Sequence, residues 1–203
     1  MYAASVTDPL GRPVKAAYGI VRSGGVKTAV MEMSAASGLP LLLPDELNPW
    51  ITSTYGTGEM ISDALNRGCR KFLVGIGGSA TNDAGTGMLS ALGVRFLDSS
   101  GQRLKGCGRD LEAIARIDMS SLMPAARESE FIVACDVNTP FCGPDGAARV
   151  FAPQKGADPQ TAEALDRGMR SFAGVIAGQF QTDIVPLSGA GAAGGLGGAF
   201  KAF

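Results

Sequence analysis

The sequence predicts an α/β fold: a single domain with a mixed β-sheet and flanking helices. Three observations carry that prediction. Short apolar runs of strand composition alternate with segments of helical spacing through the middle of the chain. The first 33 residues read as three strands around tight turns, a meander that demands antiparallel pairing. No linker, charge block or fixed-period repeat divides the 203 residues, so residues 1–203 read as one domain.

The elements follow in order. Residues 3–7 and 13–22 are strands around the Asp8-Pro-Leu-Gly-Arg turn, and Lys27–Met33 is a third. Ala35–Leu43 is apolar and ambiguous between helix and strand. A helix from about 58 to 67 carries Met60, Ile61, Ala64 and Leu65 on one face and stops at Gly68. Residues 70–76 form a strand. A helix over 82–92 follows, then a strand at Val94–Leu97. Arg109–Ile117 holds a short helix or turn, and Phe131–Val137 reads as a buried strand. Gly146–Phe151 opens a short helix that Pro153 breaks. Residues 159–180 form the longest helix, with Leu165, Met169, Phe172, Ile176 and Phe180 at helical spacing. The last residues stop in helix without a cap signal, which leads us to expect that the chain is cut at both ends.

Composition narrows the chemistry. Net charge is −1, with no basic stripe and only 6% aromatic residues, which gives nucleic acid no footing. No apolar run approaches a membrane span, and no signal-peptide pattern opens the chain. The four cysteines lack zinc spacing and read as reduced thiols of a cytoplasmic protein, three of them packed. There is no histidine. Any acid or base is therefore Asp, Glu, Lys, Tyr or Cys, and Ser-His-Asp or Cys-His catalysis within this chain is excluded.

The strand over 70–76 runs into Gly75-Ile-Gly-Gly-Ser-Ala-Thr-Asn-Asp-Ala-Gly-Thr-Gly. A glycine turn between a strand and a helix gathers backbone N–H groups at one spot and suits an anion. It is neither a P-loop, which needs Gly-Lys-Ser/Thr, nor the dinucleotide fingerprint, since residue 80 is Ala. Gly77, Gly78, Ser79, Thr81 and Asn82 are the candidate phosphate contacts, with Asp83 beside them. A second cluster, Cys135-Asp-Val-Asn, offers Asp136 and Asn138 past an apolar strand. A third, Pro153-Gln-Lys-Gly, supplies Lys155.

Phosphoryl transfer needs such groups: donors and a cation for phosphate, a carboxylate as base, and oxygens for Mg²⁺. Asp83 and Asp136 are the candidate catalytic pair, either one serving as base or Mg²⁺ ligand. Plainer readings stand beside these. Asp83 also complements a helix dipole, Asn82 caps a helix, Lys155 sits in a solvated turn, Glu32 faces solvent, and Thr52–Thr54 are loop or cap hydroxyls. Gly189–Gly198 is either a second anion loop or a helix that packs through small residues.

These blocks resemble the bacterial glycerate kinase family. The likeness runs through Val6-Thr-Asp-Pro-Leu-Gly-Arg-Pro-Val, Thr52-Ser-Thr-Tyr-Gly-Thr-Gly-Glu and the Gly75–Gly93 block. It continues through Ala134-Cys-Asp-Val-Asn-Thr-Pro-Phe-Cys-Gly, Phe151-Ala-Pro-Gln-Lys-Gly-Ala and Gly189-Ala-Gly-Ala-Ala-Gly-Gly-Leu-Gly, in family order and across the whole chain. The resemblance implies transfer of the ATP γ-phosphate to D-glycerate with Mg²⁺, usually giving 2-phosphoglycerate. Lys155, Arg149 or the glycine turn would receive glycerate's carboxylate. The resemblance also implies that this chain is the inserted domain of a two-domain fold, without its flavodoxin-like partner. The expected partners are then ATP, D-glycerate and that missing domain, with a second copy of the chain as a further candidate. The chain alone is expected to expose an apolar docking surface and to have little kinase activity. A non-catalytic module that binds an anion or hydroxyacid is the alternative.

Overall fold

A computed structural model describes residues 1–203. Strands β1 (Tyr2–Thr7), β2 (Pro13–Ser23) and β3 (Val26–Glu32) form the antiparallel meander. The short helix α1 (Ser34–Ser37) and 3-10 turns fill the ambiguous apolar stretch. After α2 (Tyr55–Asn66), β4 (Lys71–Gly75) lies parallel to β3. Helix α3 (Thr86–Ala91) and β5 (Arg95–Leu97) follow, and β5 pairs with β6 (Arg116–Asp118) in a small second sheet. The chain then forms α4 (Pro124–Arg127), β7 (Glu130–Ala134), α5 (Ala147–Phe151), α6 (Pro159–Phe180) and α7 (Ala192–Ala202). The main sheet has the order β1-β2-β3-β4-β7, and β4 and β7 are parallel.

Period-2 alternation sets the buried face: Ala16 and Tyr18, Ala29 and Met31, Phe72 and Val74 all point into one core. Met60, Ile61, Ala64 and Leu65 of α2 cover that face. Helix α2 ends in a Schellman motif, with the Gly68 N–H on Leu65 O, the Cys69 N–H on Ala64 O and Gly68 at φ +84°. Helix α6 starts where the Asp158 carboxylate accepts from the Thr161 N–H at 2.7 Å, with Pro159 in its first turn.

Three local expectations change. The glycine turn does not pass directly into a helix. Residues 76–85 form an irregular segment, mostly buried, and α3 begins only at Thr86. The reason is that Asp83 binds the Gly85 N–H in a side-chain turn, with Ala84 and Gly85 both at positive φ. The strand over Phe131–Val137 stops at Ala134 and is not buried. It is the sheet's edge, with Ile132 53% exposed. Strand β6 was not foreseen, because three residues carry too little pattern to mark a strand.

The second face of the sheet is open. Val30, Leu73 and Ile132 lie in register across β3, β4 and β7 and are all exposed. No helix is long and apolar enough to cross a membrane. Cys69, Cys107 and Cys142 are buried, and Cys135 is exposed.

Candidate active site

The C-terminal ends of parallel strands collect ligand-binding loops in open α/β sheets. Here β4 delivers Ile76–Gly85 and β7 delivers Cys135–Asn138 to the same end. The β4 loop is fixed from one side by the end of α1. The Leu39 N–H donates to Gly78 O and the Ala80 N–H to Ser37 O, each at 2.9 Å. Gly78 takes φ +69°, a conformation open to glycine. The N–H groups of Gly77, Gly78 and Ser79 donate to no protein acceptor. Three successive free donors can form a nest for an anion.

Lys155 closes this nest from beneath. Its side chain is buried, and Nζ donates to Ser79 Oγ and Thr81 O, both at 2.7 Å. An ammonium has three donors, so one remains for a ligand. Burial pulls the Lys155 pKa down to about 7, and the Asp83 carboxylate opposes that fall. A cleft of about 210 Å³ borders Gly77, Gly78, Ser79, Asp136, Gln154 and Lys155. Gln154 is a lining residue that sequence reasoning passed over, although it immediately precedes Lys155.

Asp83 lies elsewhere in the same loop. It is fully buried and both its oxygens are bonded: Oδ2 accepts from the Thr54 N–H at 2.7 Å, Thr54 Oγ1 at 2.8 Å and the Gly87 N–H at 3.2 Å, and Oδ1 from the Gly85 N–H at 3.1 Å. Burial pushes its pKa up, against the pull of those donors. One carboxylate thus serves the starts of both α2 and α3. Thr54 Oγ1 in turn accepts from the Met88 N–H at 2.9 Å. The helices can touch because Gly58 has no side chain, and a Cβ there would strike Met88 O. The signal for Thr54 was a hydroxyl at a helix start, but its partner is 29 residues away and invisible locally.

Asp136 is exposed, accepts no hydrogen bond and lines the same cleft as the nest. The structure therefore brings Gly77, Gly78, Ser79, Lys155 and Asp136 together. Asp83, Thr81 and Asn82 stand behind them, fully buried, with Thr81 Oγ1 and Asn82 Oδ1 lacking partners. Asn138 lies on the far side of Val137, in an adjoining cleft, and its Oδ1 accepts from Ser188 Oγ at 2.7 Å. Arg149 does not reach the nest's cleft; its Nε lies 3.8 Å from Asp166 Oδ2. The glycines at 189–198 pack. Gly194 fits against Thr81 O and Asn82, where a Cβ would clash, and its carbonyl accepts from the Ala84 N–H.

For Mg²⁺ the donor set is sparse: no three acidic, Cys or His side chains converge. Mg²⁺ commonly takes one or two carboxylates, with water and substrate phosphates completing its shell. Asp136 fits such a role, whereas Asp83 is buried, with Oδ2 already holding three protein donors and Oδ1 one.

The model of the "Glycerate kinase family" matches residues 1–203. The chain belongs to the glycerate kinase family. It is 48% identical over 193 residues to a glycerate kinase of Haemophilus influenzae, covering 95% of this chain and 50% of that protein. A glycerate 2-kinase of Escherichia coli is 45% identical over 198 residues, 98% of this chain and 51% of its own. The crystal structure of a putative glycerate kinase 2 from Salmonella typhimurium LT2 superposes with a TM-score of 0.95 at 45% identity, over 100% of this chain and 54% of that one. This glycerate kinase family member thus spans about half the length of the curated relatives it matches.

Proposed function

We propose that this chain is the phosphate-handling portion of a glycerate kinase that transfers the ATP γ-phosphate to D-glycerate. One observation carries the reading: three free N–H groups and a buried lysine face an unpartnered carboxylate across one small cleft. The nest and Lys155 hold phosphate oxygens through charge-assisted hydrogen bonds, aimed at charge that spreads over the transferring group. Asp136 takes the hydroxyl proton as the glycerate oxygen bonds to phosphorus. The bond from phosphorus to the bridging oxygen breaks, and ADP leaves. Mg²⁺ would supply neutralisation of the phosphate charge, and Asp136, the carboxylate lining this cleft, would hold it if it is not the base. Asp83 holds α2 and α3 in place under the nest rather than meeting substrate.

Phosphorylation at the 2-hydroxyl is proposed because a relative with that name covers the same residues. The flavodoxin-like domain, which we propose completes the site, supplies the remaining glycerate contacts. Free thiols and ATP use favour the cytoplasm. The test is an ATP-dependent assay with D-glycerate on the full-length protein and on residues 1–203. Turnover by the full-length protein alone is expected. Full-length protein that binds glycerate without phosphorylating it would leave a binding module instead.

A further inference from the structure

A second cleft of about 330 Å³ adjoins the nest. The two share Ile76, Cys135 and Val137 as a common wall. Beyond that wall the second cleft is lined by Phe131, Val133, Phe200 and the glycines Gly189 and Gly197. These are apolar or small. Glycine at 197 is needed because a Cβ would meet Gly189 O. Three polar side chains share the lining with these apolar residues, Asn138, Ser188 and Lys201, and the first two are bonded to each other. Ser188 Oγ donates to Asn138 Oδ1, which fixes the amide, and both Nδ2 protons stay without a protein acceptor.

We infer that this second cleft seats the adenine nucleoside of ATP, with Asn138 reading the base and the phosphates crossing Val137 to the nest. The inference rests on the phosphoryl-transfer reading and orients the nucleotide within it. The chemistry is complementary. An aromatic base buries apolar surface, and most ligand pockets are apolar with a few placed polar groups. An Asn amide pairs two-fold with adenine, donating from Nδ2 to a ring nitrogen and accepting the exocyclic amine on Oδ1. Oδ1 has a second lone pair free after Ser188. Guanine presents an oxygen where adenine has its amine, so the same amide placement rejects it. The nest lies directly past the shared wall, so a nucleotide with its base here has its phosphates at Gly77–Ser79 and Lys155.

The experiment uses residues 1–203 with three probes: ADP, GDP and inorganic pyrophosphate, by titration calorimetry. Wild-type protein is expected to bind ADP at least ~10-fold more tightly than GDP, the scale of one two-fold amide pair. Asn138→Ala should lose that preference and keep its pyrophosphate affinity. Lys155→Met should weaken all three probes. Cys135, the exposed thiol on the shared wall, gives a second readout: ADP should slow its alkylation more than pyrophosphate does. An unchanged ADP-to-GDP ratio in Asn138→Ala, with pyrophosphate still Lys155-dependent, overturns the base site and leaves the nest intact. Pyrophosphate binding that ignores Lys155 instead overturns the phosphate reading on which it rests.

Discussion

Asp83 follows β4 and Asp136 follows β7, two hydrogen-bonded parallel neighbours in one sheet, and both lie past the same end of it. There the likeness stops. Asp83 accepts hydrogen bonds from Thr54, Gly85 and Gly87 and has no exposed surface, whereas Asp136 is exposed and accepts none. The difference follows from strand position. β4 is interior, so its loop is roofed by α3 and by the glycine-rich start of α7. β7 is the edge, so its loop has solvent on one side. A buried carboxylate must be satisfied by its surroundings. A carboxylate at an open cleft keeps its lone pairs for a proton or a cation.

The largest expected effect breaks the buried side. Asp83→Ala leaves three N–H groups and the Thr54 hydroxyl without their acceptor inside the protein. A loss of about 3–5 kcal/mol is expected, in the range for removing one partner of a buried charged network. Urea unfolding of residues 1–203 measures it. A variant as stable as wild type would mean that Asp83 does not hold α2 and α3 together.

Asp136→Asn is the opposite case. In the full-length protein kcat should fall at least ~100-fold, as it does when a general base is lost. Stability should stay within about 0.5 kcal/mol, because an exposed side chain without partners supports little. Turnover near wild type would remove Asp136 from the chemistry and reopen the choice between the two carboxylates.

Lys155 joins the two regions, buried like Asp83 yet facing the cleft like Asp136. Burial depresses its folded pKa to about 7 from the ordinary 10.5. Between those values the unfolded chain holds a proton that the folded chain lacks. The stability owed to this group therefore rises with pH across that window and is lost as pH falls through about 7. The slope should vanish in Lys155→Met, seen as a difference between the two unfolding series. A bound anion restores the charge, so pyrophosphate binding at pH 8–9 should take up a proton. Calorimetry in buffers of different ionisation heat detects that uptake, and its absence would show Lys155 charged before the anion arrives.

The same contrast explains what could be read from the chain. The meander, α2 and α6 were legible because each has a period: Ala16 and Tyr18 alternate, while Leu165, Met169, Phe172 and Ile176 recur at helical spacing and are buried. Lys155 and the glycine turn stood out as candidates through residue types that suit anions. Their contact did not, since Lys155 reaches Ser79 across 76 positions. The roles of Asp83 and Asp136 were indistinguishable because strand order decides which loop is roofed, and no local pattern announces that β7 is the edge. Thr54 looked like an ordinary cap residue, and its position against Asp83 depends on how α2 and α3 pack.

The smallest expected effect concerns Arg149, a candidate for glycerate's carboxylate by charge alone. Its guanidinium is half exposed and stands 3.8 Å from Asp166, whose Oδ1 already accepts from the Gly143 N–H at 2.6 Å and whose Oδ2 accepts from Arg170 at 3.2 Å. Asp166 thus keeps two donors without Arg149. An exposed, loosely placed ion pair contributes about 0–1 kcal/mol. Arg149 also lies outside the lining of both clefts. Arg149→Ala should therefore shift the unfolding midpoint of residues 1–203 only slightly and leave the KM for D-glycerate of the full-length protein unchanged within about two-fold, the scale of a distant surface change. A ten-fold rise in that KM with unaltered kcat would place the substrate carboxylate at Arg149. It would then extend the exposed side of the comparison from the β7 loop to the end of α5.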